Sequence, residues 1–289
     1  MPTITTQDGC SLYYKTWGQG RPVVLIHGWP LSSDSWDDTA MALADAGYRT
    51  IAYDRRGFGR SEQTWSGYDY NRLSEDLSDL IEDLQLRDVS LVGFSMGGGE
   101  IARYLTKHSA KRVTSVALIS TVLPLMLQTS GNTSGVPSAV FETMKRGINK
   151  DRPEFLSGFF KEFYNWGLMS GPVSSEMLDW SKSIAMQAGL KASLDCIDAF
   201  SQTDFRPDLK SFTVPTLIIH GSSDQTVPID LTSRCTAKEI KHASFIEYAG
   251  APHGLFATHK NRLNKDLISF LGEHRATEVQ RAAEGLLHS

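Results

Sequence analysis

The chain has 289 residues, 40% hydrophobic and 21% charged, a length that accommodates one large core and, in open α/β folds, one domain with an insertion. Its 29 lysines and arginines against 33 aspartates and glutamates give a net charge of −4; the cations are dispersed, which excludes the basic footprint of a nucleic-acid or anionic-membrane binder and leaves a small, mostly neutral molecule as the expected partner. Cys10, Cys196 and Cys235 are odd in number and lack metal-ligand spacing, so no disulfide framework and no metal site is expected; with no basic-then-apolar leader and no apolar run of membrane-spanning length, the protein is expected to be soluble and cytoplasmic.

Residues 12–17 are aromatic and β-branched and end in a Gly-Gln-Gly-Arg-Pro break, the pattern of an antiparallel edge strand. Val23-Val-Leu-Ile26 is a continuous apolar run, as in a strand buried on both faces, and it delivers His27-Gly28-Trp29-Pro30 to a central strand end. A helix is predicted over 35–46, capped by Ser33 or Asp34 and closed by Gly47. The strand at 48–53 then leads into Asp54-Arg55-Arg56-Gly57-Phe58-Gly59-Arg60-Ser61, read as a tight turn braced by Arg–Asp hydrogen bonds in preference to an anion site. Leu73, Leu77, Leu80, Ile81 and Leu84 recur at helical spacing and place a helix over 70–84.

Next come an apolar run from Val89, a knot of small residues around Ser95, and a segment of helical character: strand, sharp turn, helix. A further buried strand is predicted over 113–119. From 122 to 208 the alternation stops, and four helical pieces rich in Phe, Tyr and Trp are predicted over 138–147, 153–166, 174–188 and 190–203, forming a lid. The sheet resumes at 214–220, followed by Asp224, a helix over 231–240, a strand over 244–248, the loop Gly250-Ala-Pro-His253-Gly254 and a helix over 260–271. The expected fold class is therefore α/β, a doubly wound, mostly parallel sheet with a helical lid: a core of residues 1–121 and 209–272, a lid of 122–208, and a helical or frayed tail of 273–289.

Gly93-Phe94-Ser95-Met96-Gly97 is a G-x-S-x-G pattern in the strand-to-helix context that a nucleophile elbow needs. A serine hydroxyl needs a base, and an imidazole base needs a carboxylate to fix its tautomer. Asp224 and His253 follow successive strands, and the order Ser95, Asp224, His253 is that of hydrolases built on such a sheet. The oxyanion of the intermediate would be held by the backbone N–H groups of Met96 and Trp29; Pro30 has none to offer. His27 is read as bracing that loop, and His220 as a structural histidine at a strand end.

Several phrases are similar to those of the bacterial cofactor-free haloperoxidases and arylesterases of the α/β-hydrolase superfamily: Tyr53-Asp-Arg-Arg-Gly-Phe-Gly-Arg-Ser61, Gly93-Phe-Ser-Met-Gly-Gly-Gly-Glu-Ile-Ala-Arg-Tyr104, Leu194-Asp-Cys-Ile-Asp-Ala-Phe200, Thr203-Asp-Phe-Arg206 and Pro252-His-Gly254. The likeness runs from the N-terminus to about residue 271. It implies the α/β-hydrolase fold, a Ser95–Asp224–His253 triad, an oxyanion amide at Trp29, and no cofactor. It also implies hydrolysis of small esters, with production of peracids from carboxylic acids and hydrogen peroxide; halogenation follows from the peracid. Trp29, Met96, Phe200, Val227 and Ile229 are expected, from the resemblance and their nearness to catalytic residues, to line an apolar acyl pocket. Two other readings stay open: a γ-lactamase or amidase using the same triad, and a non-catalytic ligand-binding module on the same fold. A homo-oligomer is likewise left open.

Overall fold

The computed structural model describes residues 1–167 and 171–286, with side chains through residue 273. Its strands are β1 (Thr3–Thr5), β2 (Ser11–Trp17), β3 (Arg21–Ile26), β4 (Tyr48–Tyr53), β5 (Val89–Phe94), β6 (Val113–Ile119), β7 (Thr216–Gly221) and β8 (Ser244–Tyr248). They form one sheet in the order β1-β2-β4-β3-β5-β6-β7-β8. β1 pairs antiparallel with β2, and β2 antiparallel with β4, at one edge; the remaining pairings, from β4–β3 to β7–β8, are parallel.

The helices are α1 (Asp37–Asp45), α2 (Tyr70–Asp83), α3 (Gly97–His108), α4 (Ser138–Phe163), α5 (Ser175–Met186), α6 (Leu190–Gln202), α7 (Ser233–Glu239), α8 (Leu255–Thr258) and α9 (Lys260–Leu286). Side chains alternate across a strand, and a sheet covered on both faces needs apolar groups at both parities. Val24, Ile26, Leu91 and Ile218 join one core cluster with Leu77 of α2 and Ile101 of α3. Their neighbours Val23, Leu25, Val92 and Leu217 join a second with Leu43 of α1 and Leu263 of α9. No helix among the described residues is long and apolar enough to cross a membrane.

Several local readings change. The edge strand β1 is too short for periodicity to reveal. The helix expected from 35 begins as a 3-10 turn, Ser33–Trp36, capped by Ser32 and not by Ser33 or Asp34, because the Ser32 side chain accepts the Asp34 N–H. The first two lid pieces join into α4, kinked at Asp151, whose side chain accepts the Glu154 N–H and so caps the second half where Pro153 breaks the ladder. The final helix continues past 271 to Leu286; positions 287–289 of the expected tail lie outside the described residues, as do 168–170 of the expected lid.

The strand order turns on β3, which has β4 on one side and β5 on the other. Crevices open at the carboxyl ends of parallel strands at such a point. Ile26 pairs with Gly93, so the chain leaves β3 and β5 level, and the loop bearing Trp29 lies beside the turn bearing Ser95.

Candidate active site

Ser95 sits between β5 and α3 with φ of +52°, a left-handed conformation that non-glycine residues rarely adopt. The two pattern glycines make this turn sterically possible. A Cβ on Gly97 would lie 2.6 Å from the Ile26 carbonyl oxygen, and one on Gly93 would lie 2.9 Å from the Gly97 backbone. Strand and helix therefore close around the serine, and Tyr70 of α2 adds a 3.0 Å hydrogen bond from its hydroxyl to the Met96 carbonyl.

The loops after β7 and β8 bring Asp224 and His253 to the same sheet end. Ser95 Oγ is 3.0 Å from His253 Nε2, and His253 Nδ1 is 2.6 Å from Asp224 Oδ2. Asp224 Oδ1 accepts the backbone N–H groups of Thr226 at 2.9 Å and Val227 at 2.7 Å. Burial alone would raise the Asp224 carboxyl. The charge of the His253 ring and hydrogen bonds from His220 and His253 outweigh it, holding the group down at about 2. Phe94 and Phe163 pack on the His253 ring with centroids 4.9 and 4.8 Å away, and the Gly254 N–H donates to the Phe163 carbonyl. The histidine is thereby tied to α4.

Among the described residues, neither the Trp29 nor the Met96 backbone N–H donates to a protein acceptor. The loop holding Trp29 is fixed from below. The Arg55 N–H donates to His27 Nε2 at 3.0 Å, which leaves the ring proton on Nδ1, 2.9 Å from the Gly28 carbonyl. That carbonyl belongs to the Gly28–Trp29 peptide, so pinning it aims the Trp29 N–H the opposite way. Burial, then the Arg55 charge, hold the His27 ring well below its ordinary value, so it stays neutral. Both strand-end arginines are buried and face carboxylates: Arg55 donates to Glu100 of α3 and to the His27 carbonyl, and Arg56 to Asp76 and Asp8. They brace the turn, as expected, though the partner of Arg55 is a glutamate. Tyr53 also donates to Glu100, at 2.5 Å. Burial would drive the proton off Arg55, but Glu100 outweighs it. Glu100→Ala should therefore destabilise the protein by about 3–5 kcal/mol, the cost of a buried charge left unpaired. The urea midpoint measures it, and a loss under about 1 kcal/mol would show that the pair is not needed.

A cavity of about 580 Å³ opens onto Ser95. Trp29, Phe200 and Val227 line it, whereas Met96 and Ile229 are buried outside its lining. The Met96 side chain packs into the core under the turn, leaving its amide as the part placed near the serine. The lid supplies most of the wall. Phe155 and Phe159 of α4 line it, and the Trp29 indole donates to the Ser193 carbonyl of α6 while its ring meets Phe159 at 5.2 Å and Phe200 at 5.7 Å. Glu154 and Glu162 add two carboxylates that the sequence did not mark as site residues. Phe200→Ala should enlarge this space and raise the rate on bulky relative to short acyl esters roughly tenfold. An unchanged acyl-length profile would remove Phe200 from the substrate's path.

A family model described as the alpha/beta hydrolase fold matches residues 21–260. The chain is 45% identical to a non-heme chloroperoxidase of Kitasatospora aureofaciens, over 94% of this chain and 100% of that one. It is 40% identical to a bifunctional esterase/perhydrolase of Acinetobacter calcoaceticus, over 94% and 99%. Among solved structures, a bromoperoxidase from Bacillus anthracis superposes with a TM-score of 0.90 at 44% identity, over 94% of this chain and 100% of that one.

Proposed function

The chain belongs to the alpha/beta hydrolase family, and from that premise we propose that it is a serine hydrolase of small carboxylic esters that also makes peracids from carboxylic acids and hydrogen peroxide. The observation that carries the reading is the unbroken line from Ser95 Oγ through His253 to Asp224, at 3.0 and 2.6 Å. Ser95 attacks the ester carbonyl as His253 Nε2 takes its proton, and Asp224 stabilises the imidazolium. The Trp29 and Met96 amides hold the oxyanion, each worth about 3 kcal/mol to the transition state. The proton then passes to the leaving alcohol, giving an acyl-serine.

Water attacking the acyl-serine gives the acid. Hydrogen peroxide attacking it gives the peracid and frees Ser95, with His253 again moving the proton. The same acyl-serine arises from a carboxylic acid by loss of water, so no cofactor enters the cycle. Names of close relatives as chloroperoxidase and esterase/perhydrolase support both outcomes. Bromide or chloride is then oxidised by the released peracid.

A fluorophosphonate probe, with mass mapping of the adduct, tests the reading together with a screen of acetate esters, a γ-lactam, and acetic acid with peroxide. The expected result is an adduct on Ser95, ester turnover and peracid formation. Absence of an adduct would mean a binding module, and turnover of the lactam alone would mean an amidase.

A further inference from the structure

Asp224 is held by more than the His253 ring. Its Oδ2, which faces His253 Nδ1 at 2.6 Å, also lies 3.0 Å from Nε2 of a second histidine, His220. His220 stands on β7, four residues before Asp224, and its side chain is completely enclosed. The same Nε2 is 2.8 Å from the Val227 carbonyl oxygen, and Nδ1 is 2.7 Å from the Ser233 hydroxyl. A carbonyl and a carboxylate can only accept, whereas a hydroxyl can donate. The ring is therefore the tautomer with its proton on Nε2, and its bare Nδ1 accepts from Ser233.

We propose that His220 is a positioning residue for the acyl-transfer reaction, presenting its Nε2–H to Asp224 and to the Val227 carbonyl together so that the carboxylate is held in the orientation His253 requires. The proposal rests on reading Ser95, His253 and Asp224 as the catalytic triad. Val227 makes the link tight: its N–H donates to Asp224 Oδ1 while its carbonyl faces His220. The turn from Asp224 to Val227 is thus closed through both backbone groups of one residue, Val227. Removing the Nε2–H would leave Oδ2 with one donor and a buried carbonyl with none, and the carboxylate could then swing away from His253. A histidine that only filled space at a strand end would be replaceable by phenylalanine.

The test compares His220→Phe, His220→Gln and His220→Asn by ester kcat per Ser95 titrated with fluorophosphonate, so that loss of folded protein does not count as loss of rate. The amide nitrogen of glutamine occupies roughly the place of Nε2, and that of asparagine roughly the place of Nδ1. Phe and Asn should lose about tenfold or more per titrated site, while Gln should stay within about threefold of the parent. Phe within about threefold of the parent, or Gln no better than Asn, would overturn the proposal while leaving the triad standing. Should the Phe variant not fold, the Gln and Asn pair decides alone, since the two share their chemistry and differ by one methylene. If the parent takes no probe at Ser95, the triad reading fails and this proposal falls with it.

Discussion

Ser95→Ala and His253→Ala should each lower ester turnover by roughly 10⁵- to 10⁶-fold, the scale seen when a serine nucleophile or its base is removed from a hydrolase. The two losses should be nearly equal and should not add, because a serine without its base and a base without its serine fail at the same step. The fold should survive both changes. The turn around Ser95 is set by the close approach of Gly93 and Gly97 to neighbouring backbone, and neither variant touches it. Denaturant midpoints of the variants check this, and retention of more than about a tenth of the parent rate by either would end the triad assignment.

The parts of the molecule that could be read in advance are those fixed by local rules. Val23 to Ile26, Leu91 with Val92, and Leu217 to Ile219 stand out because a parallel sheet covered on both faces draws apolar residues at successive strand positions. The Ser95 turn stands out because only glycine tolerates the approaches at 93 and 97. What depended on docking between distant segments could not be read. Glu100 reaches Arg55 across 45 residues, and nothing in either neighbourhood names the other. Phe159 lines the cavity while adjacent Phe160 packs in the second core, because a helix turns about 100° per residue and its seat on the sheet decides which ring faces the cleft. The same limit misplaced Met96 and Ile229. Nearness to Ser95 and Asp224 along the chain does not say which way a side chain leaves it.

Asp224→Asn should lower turnover by about 10⁴-fold, although it changes one atom and leaves the shape of the residue intact. The backbone decides which end of the amide goes where. The N–H groups of Thr226 and Val227 both point at Oδ1, so the amide oxygen must occupy that place and the NH₂ must take the place of Oδ2. The NH₂ then confronts His253 Nδ1 and His220 Nε2, both donors in the parent. His253 relieves the clash by moving its proton to Nε2, which turns a donor toward Ser95 where an acceptor is needed. A second consequence appears in stability. The Asp224 carboxyl lies at about 2 when folded against an ordinary 3.8, so its ionised form contributes about 2 kcal/mol that is fully present above about pH 4 and is lost as pH falls through 2. The variant should lack that component and show a shallower fall in stability between about pH 4 and 2. Stopped-flow acylation and urea titrations at several pH values measure the two effects on one preparation. A rate within about tenfold of the parent would mean that the imidazole finds its tautomer without the carboxylate, and Asp224 would then be only a structural acid.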